Sequence, residues 1–210
     1  MTARHLLFSF FLLVAAWDVQ ACTGLKLVAK DGSIVHGRTL EFGIPLDSSI
    51  ALVPRGYRFV GTTPQGPGLA YTTKYAALGA VLFDEIAILD GINEKGLAVG
   101  TFFFPGFAKY ATISKKNQHQ ALSASEFPHW VLTQFTSIEE VKNGLKNVFI
   151  APTLVGGWGS EPPPFHYIVY DQSGKCLVIE PINGELATYD NPLGVLTNSP
   201  TFDWHITNLR

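Results

Sequence analysis

Runs of β-prone residues on either side of a helical block predict an α+β layered domain. Three observations carry that expectation. Short strand-like runs separated by turn residues extend from Cys22 to Phe104, helix signals occupy Glu126 to Val148, and strand-like runs resume from His166 to Asn198. The 210 residues are 47% hydrophobic and 15% charged, enough apolar material for one buried core and unlike the composition of a disordered chain. No repeat, low-complexity tract or interdomain linker divides them.

The first 21 residues stand apart from this domain. Arg4 and His5 lead into the apolar run Leu6 to Trp17, followed by Val19-Gln20-Ala21. The run is shorter than the ~20 residues a membrane-spanning helix needs, and small residues at Val19 and Ala21 suit signal peptidase cutting before Cys22. Residues 1–21 therefore read as a signal peptide, residues 22–210 as the mature domain, and the destination as periplasmic or secreted.

The elements follow in order. Cys22 to Ala29 and Ile34 to Thr39 flank the turn Lys30-Asp31-Gly32-Ser33 and predict a hairpin, which returns Arg38 and Glu41 to the neighbourhood of Cys22. Further strands are expected at Ala51 to Pro54, Tyr75 to Phe83, Ile86 to Leu89 and Leu97 to Phe104, with Asp90 to Gly96 as a turn before the last. Glu126 to Phe135 reads as a helix. Ser137 and Glu140 make a capping box ahead of Val141, Leu145 and Val148. A Gly/Pro-rich loop from Gly156 to Pro164 precedes strands at His166 to Tyr170, Cys176 to Glu180 and Gly194 to Asn198.

Composition excludes some functions. With 15 basic and 17 acidic residues and no basic run, nothing favours nucleic acid as a partner, and nothing distinguishes a monomer from a homo-oligomer. His36, His119, His129, His166 and His205 form no close-spaced ligand pair, so no metal is expected. Gly91, Gly96 and Gly100 lack phosphate-loop spacing, and no cofactor is expected either. Export would permit a Cys22–Cys176 disulfide, but Cys176 sits in an apolar run where a free cysteine packs as a small hydrophobe.

Cys22 carries the available chemistry. A thiol needs a base, and no papain-like cysteine context is present. Removal of residues 1–21 would give Cys22 a free α-amine, whose ordinary pKa of about 7.7–8.0 suits it to take the thiol proton. Two other readings stay open: a lipid-modified first cysteine, which would tie the chain to a membrane but which Gln20 disfavours, and a core or turn position without chemistry.

Several runs together resemble the choloylglycine hydrolases, a family that includes penicillin V acylases. They are Ala21-Cys22-Thr23-Gly24-Leu25, Gly37-Arg38-Thr39-Leu40-Glu41, Asp90-Gly91-Ile92-Asn93-Glu94-Lys95-Gly96-Leu97 and Gly194 to His205. Supporting matches at Thr72 to Ala76, Ser137 to Lys142 and Val178 to Glu180 extend the resemblance over nearly the whole mature chain. It implies the four-layered αββα sandwich of N-terminal-nucleophile hydrolases and hydrolysis of a linear amide in a small N-acyl substrate such as a conjugated bile salt or penicillin V.

By position, the resemblance makes Cys22 the nucleophile, places Arg38 beside its thiol and sets Glu41, commonly Asp in the family, against the free amine. Asn198 corresponds to a side-chain oxyanion donor and Phe103 to a backbone N–H donor. The Phe103 side chain is also a candidate wall of the acyl pocket, ahead of Phe102 and Phe104. Asn93 reads as a hairpin residue. The family's chains continue past the point equivalent to Arg210 and supply a further active-site arginine. The sandwich is therefore expected to be short of its C-terminal part, with apolar surface exposed, and an inactive binding relative is the alternative function.

Overall fold

The computed structural model describes residues 22–43, 45–83 and 85–209. The expected leader, residues 1–21, lies outside the described residues.

The first two strands, β1 (Thr23–Val28) and β2 (Ile34–Thr39), form the expected hairpin, pairing Thr23 with Thr39 and Gly24 with Arg38. The short β14 (Val195–Leu196) joins β1 on its other side, completing a three-stranded antiparallel sheet. Distant sequence thus meets where the chain's first described residue lies.

A seven-stranded antiparallel sheet forms the centre. It contains β3 (Ser49–Val53), β6 (Ala77–Val81), β7 (Asp90–Asn93), β8 (Ala98–Phe103), β11 (Phe165–Tyr170), β12 (Cys176–Ile182) and β13 (Glu185–Asp190). Their order is β13-β12-β11-β8-β7-β6-β3. Smaller pairs complete the strands: β4 (Arg58–Thr63) with β5 (Gly66–Thr72), and the parallel β9 (Ala121–Ser123) with β10 (Phe149–Ala151).

Strand period decides which side chains enter which core. On β11 and β12, Tyr167, Val169, Leu177 and Ile179 enter one core with Val131, Leu132 and Val141 from the helical block. Their alternates Ile168, Tyr170, Cys176 and Val178 enter a second core with Cys22, Leu196 and Phe202. These central strands are buried on both faces, which is why they read as near-continuous apolar runs. Both cysteines are free and buried, and burial pushes the Cys176 thiol up to about 12.

The helical block matches its signals. Helix α1 (Phe127–Gln134) begins after a reciprocal cap, in which Ser123 N–H donates to Glu126 and Glu126 N–H to Ser123 Oγ. Helix α2 (Ile138–Gly144) begins at Ser137, whose Oγ accepts from Glu140 N–H. The Glu140 carboxylate bonds the Thr136 N–H, one residue ahead of the usual capping-box partner. A third helix, α3 (Phe202–Asn208), was not expected and anchors Phe202 in the second core.

Ile86 to Leu89 is not the expected strand, and Asp90 to Asn93 is strand β7 rather than part of a turn. Ile88 explains the shift. Its side chain lies over Gly79 and Gly91, which face each other across β6 and β7, so that a Cβ on either glycine would meet Ile88 Cγ2 at 2.5 or 2.8 Å. The run before Asp90 folds over the sheet, and the strand begins beneath it. The turn contracts to the residues after Asn93. Asn93 is buried and uses its whole side-chain amide there, donating to Leu132 and Phe135 carbonyls and accepting from Lys95 and Leu97 N–H.

The small sheet covers only part of the large one. Across β3, β6, β7 and β8 the paired residues Leu52, Leu78, Ile92 and Ala98 form one row, yet Leu52 is 72% exposed, Leu78 48% and Ile92 46%. A cleft of about 450 Å³ opens beside them, between β2 and the large sheet. The outer face of the small sheet also shows exposed Leu27, Val35 and Val195. Among the described residues, the two sheets therefore leave apolar side chains exposed.

Candidate active site

Cys22 lies immediately before β1, 3% exposed, with its Sγ 3.9 Å from the Glu41 carbonyl oxygen toward which the thiol points. The chain returning from β2 therefore reaches Cys22 as expected, but through the Glu41 backbone. The Glu41 side chain is exposed. A cavity of about 30 Å³ adjoins the thiol, walled by Arg38, Leu40, Phe42, Asp90, Phe103 and Trp158 among others.

Arg38 shares this cavity, and its ion-pair partner is Asp90. Arg38 Nη1 donates to both Asp90 oxygens at 2.7 and 2.8 Å and to the Thr101 carbonyl at 2.6 Å. Phe102 lies 4.5 Å beneath the guanidinium, a cation–π contact. Burial raises the Asp90 pKa, opposed by the Arg38 charge and the Thr101 N–H that donates to its Oδ1. Asp90 escaped sequence reasoning because Asp-Gly-Ile-Asn reads as turn chemistry. The one available signal was its place at the head of the motif that carries the resemblance.

Gly24 makes this stack possible. It is buried opposite Arg38 in the hairpin, and a Cβ there would meet Phe102 Cζ at 2.5 Å. The absent side chain lets the aromatic ring lie under the hairpin and carry the guanidinium.

The two candidate oxyanion donors come together, in contact with each other. Phe103 N–H donates to Asn198 Oδ1 at 3.2 Å. Each is expected to donate to an oxyanion, and here the backbone donor holds the side-chain oxygen. Asn198 is fixed from behind as well, since its carbonyl lies 3.3 Å from His205 Nε2. Ser199 Oγ donates to the Pro105 carbonyl, tying the same loop to the end of β8.

The Phe103 ring is half-buried in an aromatic group at the cavity, 5.8 Å from Phe42 and 5.9 Å from Trp158. Phe102 and Phe104 are core residues, 1% and 0% exposed. Trp158 and Phe42 were not picked out from the sequence; both lie in loops, where an isolated aromatic carries no periodic signal. No group of three metal-ligating side chains occurs among the described residues.

A family model for linear amide C–N hydrolases of the choloylglycine hydrolase family matches residues 22–210. The chain belongs to the choloylglycine hydrolase family. Among its relatives is a bile salt hydrolase/transferase from Clostridium perfringens, 38% identical over 194 residues, covering 90% of this chain and 56% of that protein.

Solved structures agree. A variant of the conjugated bile acid hydrolase from Clostridium perfringens superimposes with a TM-score of 0.77 at 37% identity, over 90% of this chain and 56% of that one. Penicillin V acylase from Agrobacterium tumefaciens matches with a TM-score of 0.75 at 25% identity, over 89% of this chain and 55% of that one. The α+β fold is therefore that of the N-terminal-nucleophile hydrolases, and the chain spans a little over half the length of the relatives it matches.

Proposed function

We propose that this choloylglycine hydrolase family member is an exported hydrolase of linear amides with Cys22 as its nucleophile. The observation that carries the reading is the convergence of Cys22, Arg38 and Phe103 on one cavity, with Asn198 bonded to Phe103. Removal of residues 1–21 frees the Cys22 amine, which takes the thiol proton. Sγ then bonds the acyl carbon, the C–N bond breaks and the amine leaves with that proton. Water cleaves the resulting thioester and releases the acid.

Asn198 offers its side-chain N–H to the developing oxyanion, with its oxygen end fixed by Phe103 N–H. Donation by Phe103 itself requires Asn198 Oδ1 to give way. Arg38 supplies positive charge beside the thiol, and the Glu41 carboxylate is assigned to the freed ammonium. The cavity at Cys22 is an order of magnitude smaller than the ~300–1,000 Å³ of ligand pockets. The acyl group must therefore extend beyond it, over Phe42 and Trp158. Relatives named as bile salt hydrolases and penicillin V acylases support an acyl amide of either kind as substrate.

The test compares the mature protein with Cys22→Ser on glycine-conjugated bile salts, penicillin V and simple N-acyl amino acids. Release of the free acid by wild type alone is expected, together with a mature mass and N-terminal sequence beginning at Cys22. Equal rates in the two proteins overturn the nucleophile assignment. A mature chain that begins elsewhere, or a lipid-bearing Cys22, overturns the amine as base.

A further inference from the structure

Outside the cavity, His166 on β11 and Glu180 on β12 form a pair with both side chains 0% exposed. They face the second core beside Phe102, and Phe104 stacks on the His166 ring at 4.2 Å with the planes 6° apart. Nothing in the proposed reaction uses either residue. Their hydrogen bonds nevertheless end on both sides of Asn198: His166 Nε2 lies 2.9 Å from the Thr197 carbonyl, and Glu180 Oε1 accepts the Phe202 N–H at 2.9 Å.

Protonation is constrained by these partners. A carbonyl can only accept, so His166 Nε2 carries a hydrogen. His166 Nδ1 faces Glu180 Oε1 at 3.2 Å, a contact that requires one proton between the two atoms. Burial lowers the His166 pKa, and the Glu180 hydrogen bond and charge oppose that shift. Among the described residues the buried Glu180 Oε2 has no partner, and Oε1 joins His166 to the start of α3. The ring plane is fixed by Phe104, and the Thr197-to-Phe202 segment is fixed to the sheet by the pair.

We propose that His166 and Glu180 are positioning residues for Asn198, holding the segment from Thr197 to Phe202 so that the Asn198 amide stays on Phe103 N–H. This rests on the reading of Asn198 as the oxyanion donor. A pair that merely stabilised the fold would not act through one side chain.

His166→Phe keeps the ring and its stacking while removing both hydrogen bonds. In the mature enzyme we expect kcat to fall about tenfold with KM within about twofold, because a misplaced donor is lost to the transition state alone. In an Asn198→Ala background the same substitution should cost less than about twofold. Equal losses in both backgrounds overturn the proposal. His166→Gln keeps a donor for Thr197 and should recover most of the loss. If it falls as far as His166→Phe, the Thr197 bond is not the link.

A second measurement does not depend on hydrolysis. Amide hydrogen exchange at Phe103 should accelerate at least about tenfold in His166→Phe, while exchange in the β4–β5 hairpin stays unchanged. Unchanged Phe103 exchange overturns the positioning role whatever the activity. Faster Phe103 exchange in a protein that cleaves no amide supports the positioning role and counts against the hydrolase reading alone.

Discussion

At the scale of the residue, the Arg38–Asp90 pair shows how a charge is held at the cavity that Cys22 also lines. Nη1 makes three hydrogen bonds, two to the carboxylate and one to the Thr101 carbonyl, and the Phe102 ring supports the guanidinium from below. Asp90→Asn keeps the shape but leaves the guanidinium without its counter-charge, and it should cost about 1.5–3 kcal/mol of stability. Urea unfolding measures this. Amide hydrolysis by the same variant should fall as well, because Arg38 loses the partner that holds it at the cavity. A variant matching wild type in both would remove Asp90 from the site.

Part of that geometry could be read from the sequence. The turn at Lys30 to Ser33 fixes the hairpin register, and the register places Arg38 opposite Gly24, two residues from Cys22. The partner could not be read, because Asp90 lies 52 residues away in a run whose composition is that of a turn. Phe103 and Asn198 were legible through the resemblance alone. Their direct hydrogen bond spans 95 residues, beyond any local pattern.

At the scale of the element, α1 contains a histidine whose burial should govern acid stability. His129 is 0% exposed, its Nδ1 accepts from Ile88 N–H at 3.3 Å, and its Nε2 has no partner among the described residues. Burial lowers its pKa from 6.5 to about 4. The unfolded chain takes up this proton near pH 6.5, whereas the folded one refuses it until about pH 4. Stability from this group is therefore complete above pH 6.5 and declines as pH falls toward 4, by about 3 kcal/mol in all. In His129→Asn, Oδ1 can replace the Nδ1 acceptor without the titration. The stability difference between the two proteins should change over that pH range, and parallel curves would contradict the assignment.

Element existence was clearest where capping or period was strong. Ser137 with Glu140 marked α2, and apolar β11 and β12 announced themselves. Strand β13 went unread because Glu185 to Asp190 mixes exposed polar with half-buried apolar residues at an edge. Helix α3 went unread because seven residues after a Ser-Pro turn carry too little periodicity. The β4–β5 hairpin depends on tertiary support. Glu126 accepts from the Thr62 N–H and hydroxyl, tying that hairpin to the start of α1.

At the scale of the whole molecule, the central feature is a large sheet whose β3, β6 and β7 the small sheet leaves exposed. In a protein of residues 22–210, the row Leu52, Leu78, Ile92 should bind the apolar dye ANS in the native state, with near-UV circular dichroism intact. Leu52→Lys combined with Ile92→Glu should reduce the bound fluorescence by at least about half at little cost in stability, since these side chains are exposed. Dye binding unaffected by the pair of substitutions would place the apolar surface elsewhere.

The same uneven cover has a calorimetric consequence. Heat capacity rises on unfolding because apolar surface becomes hydrated, and in a protein of residues 22–210 the row on β3, β6 and β7 is exposed before unfolding. Its increment should therefore lie below the ~12–15 cal/mol/K per residue of fully covered domains. The curve of stability against temperature is correspondingly flatter, with less curvature on either side of its maximum.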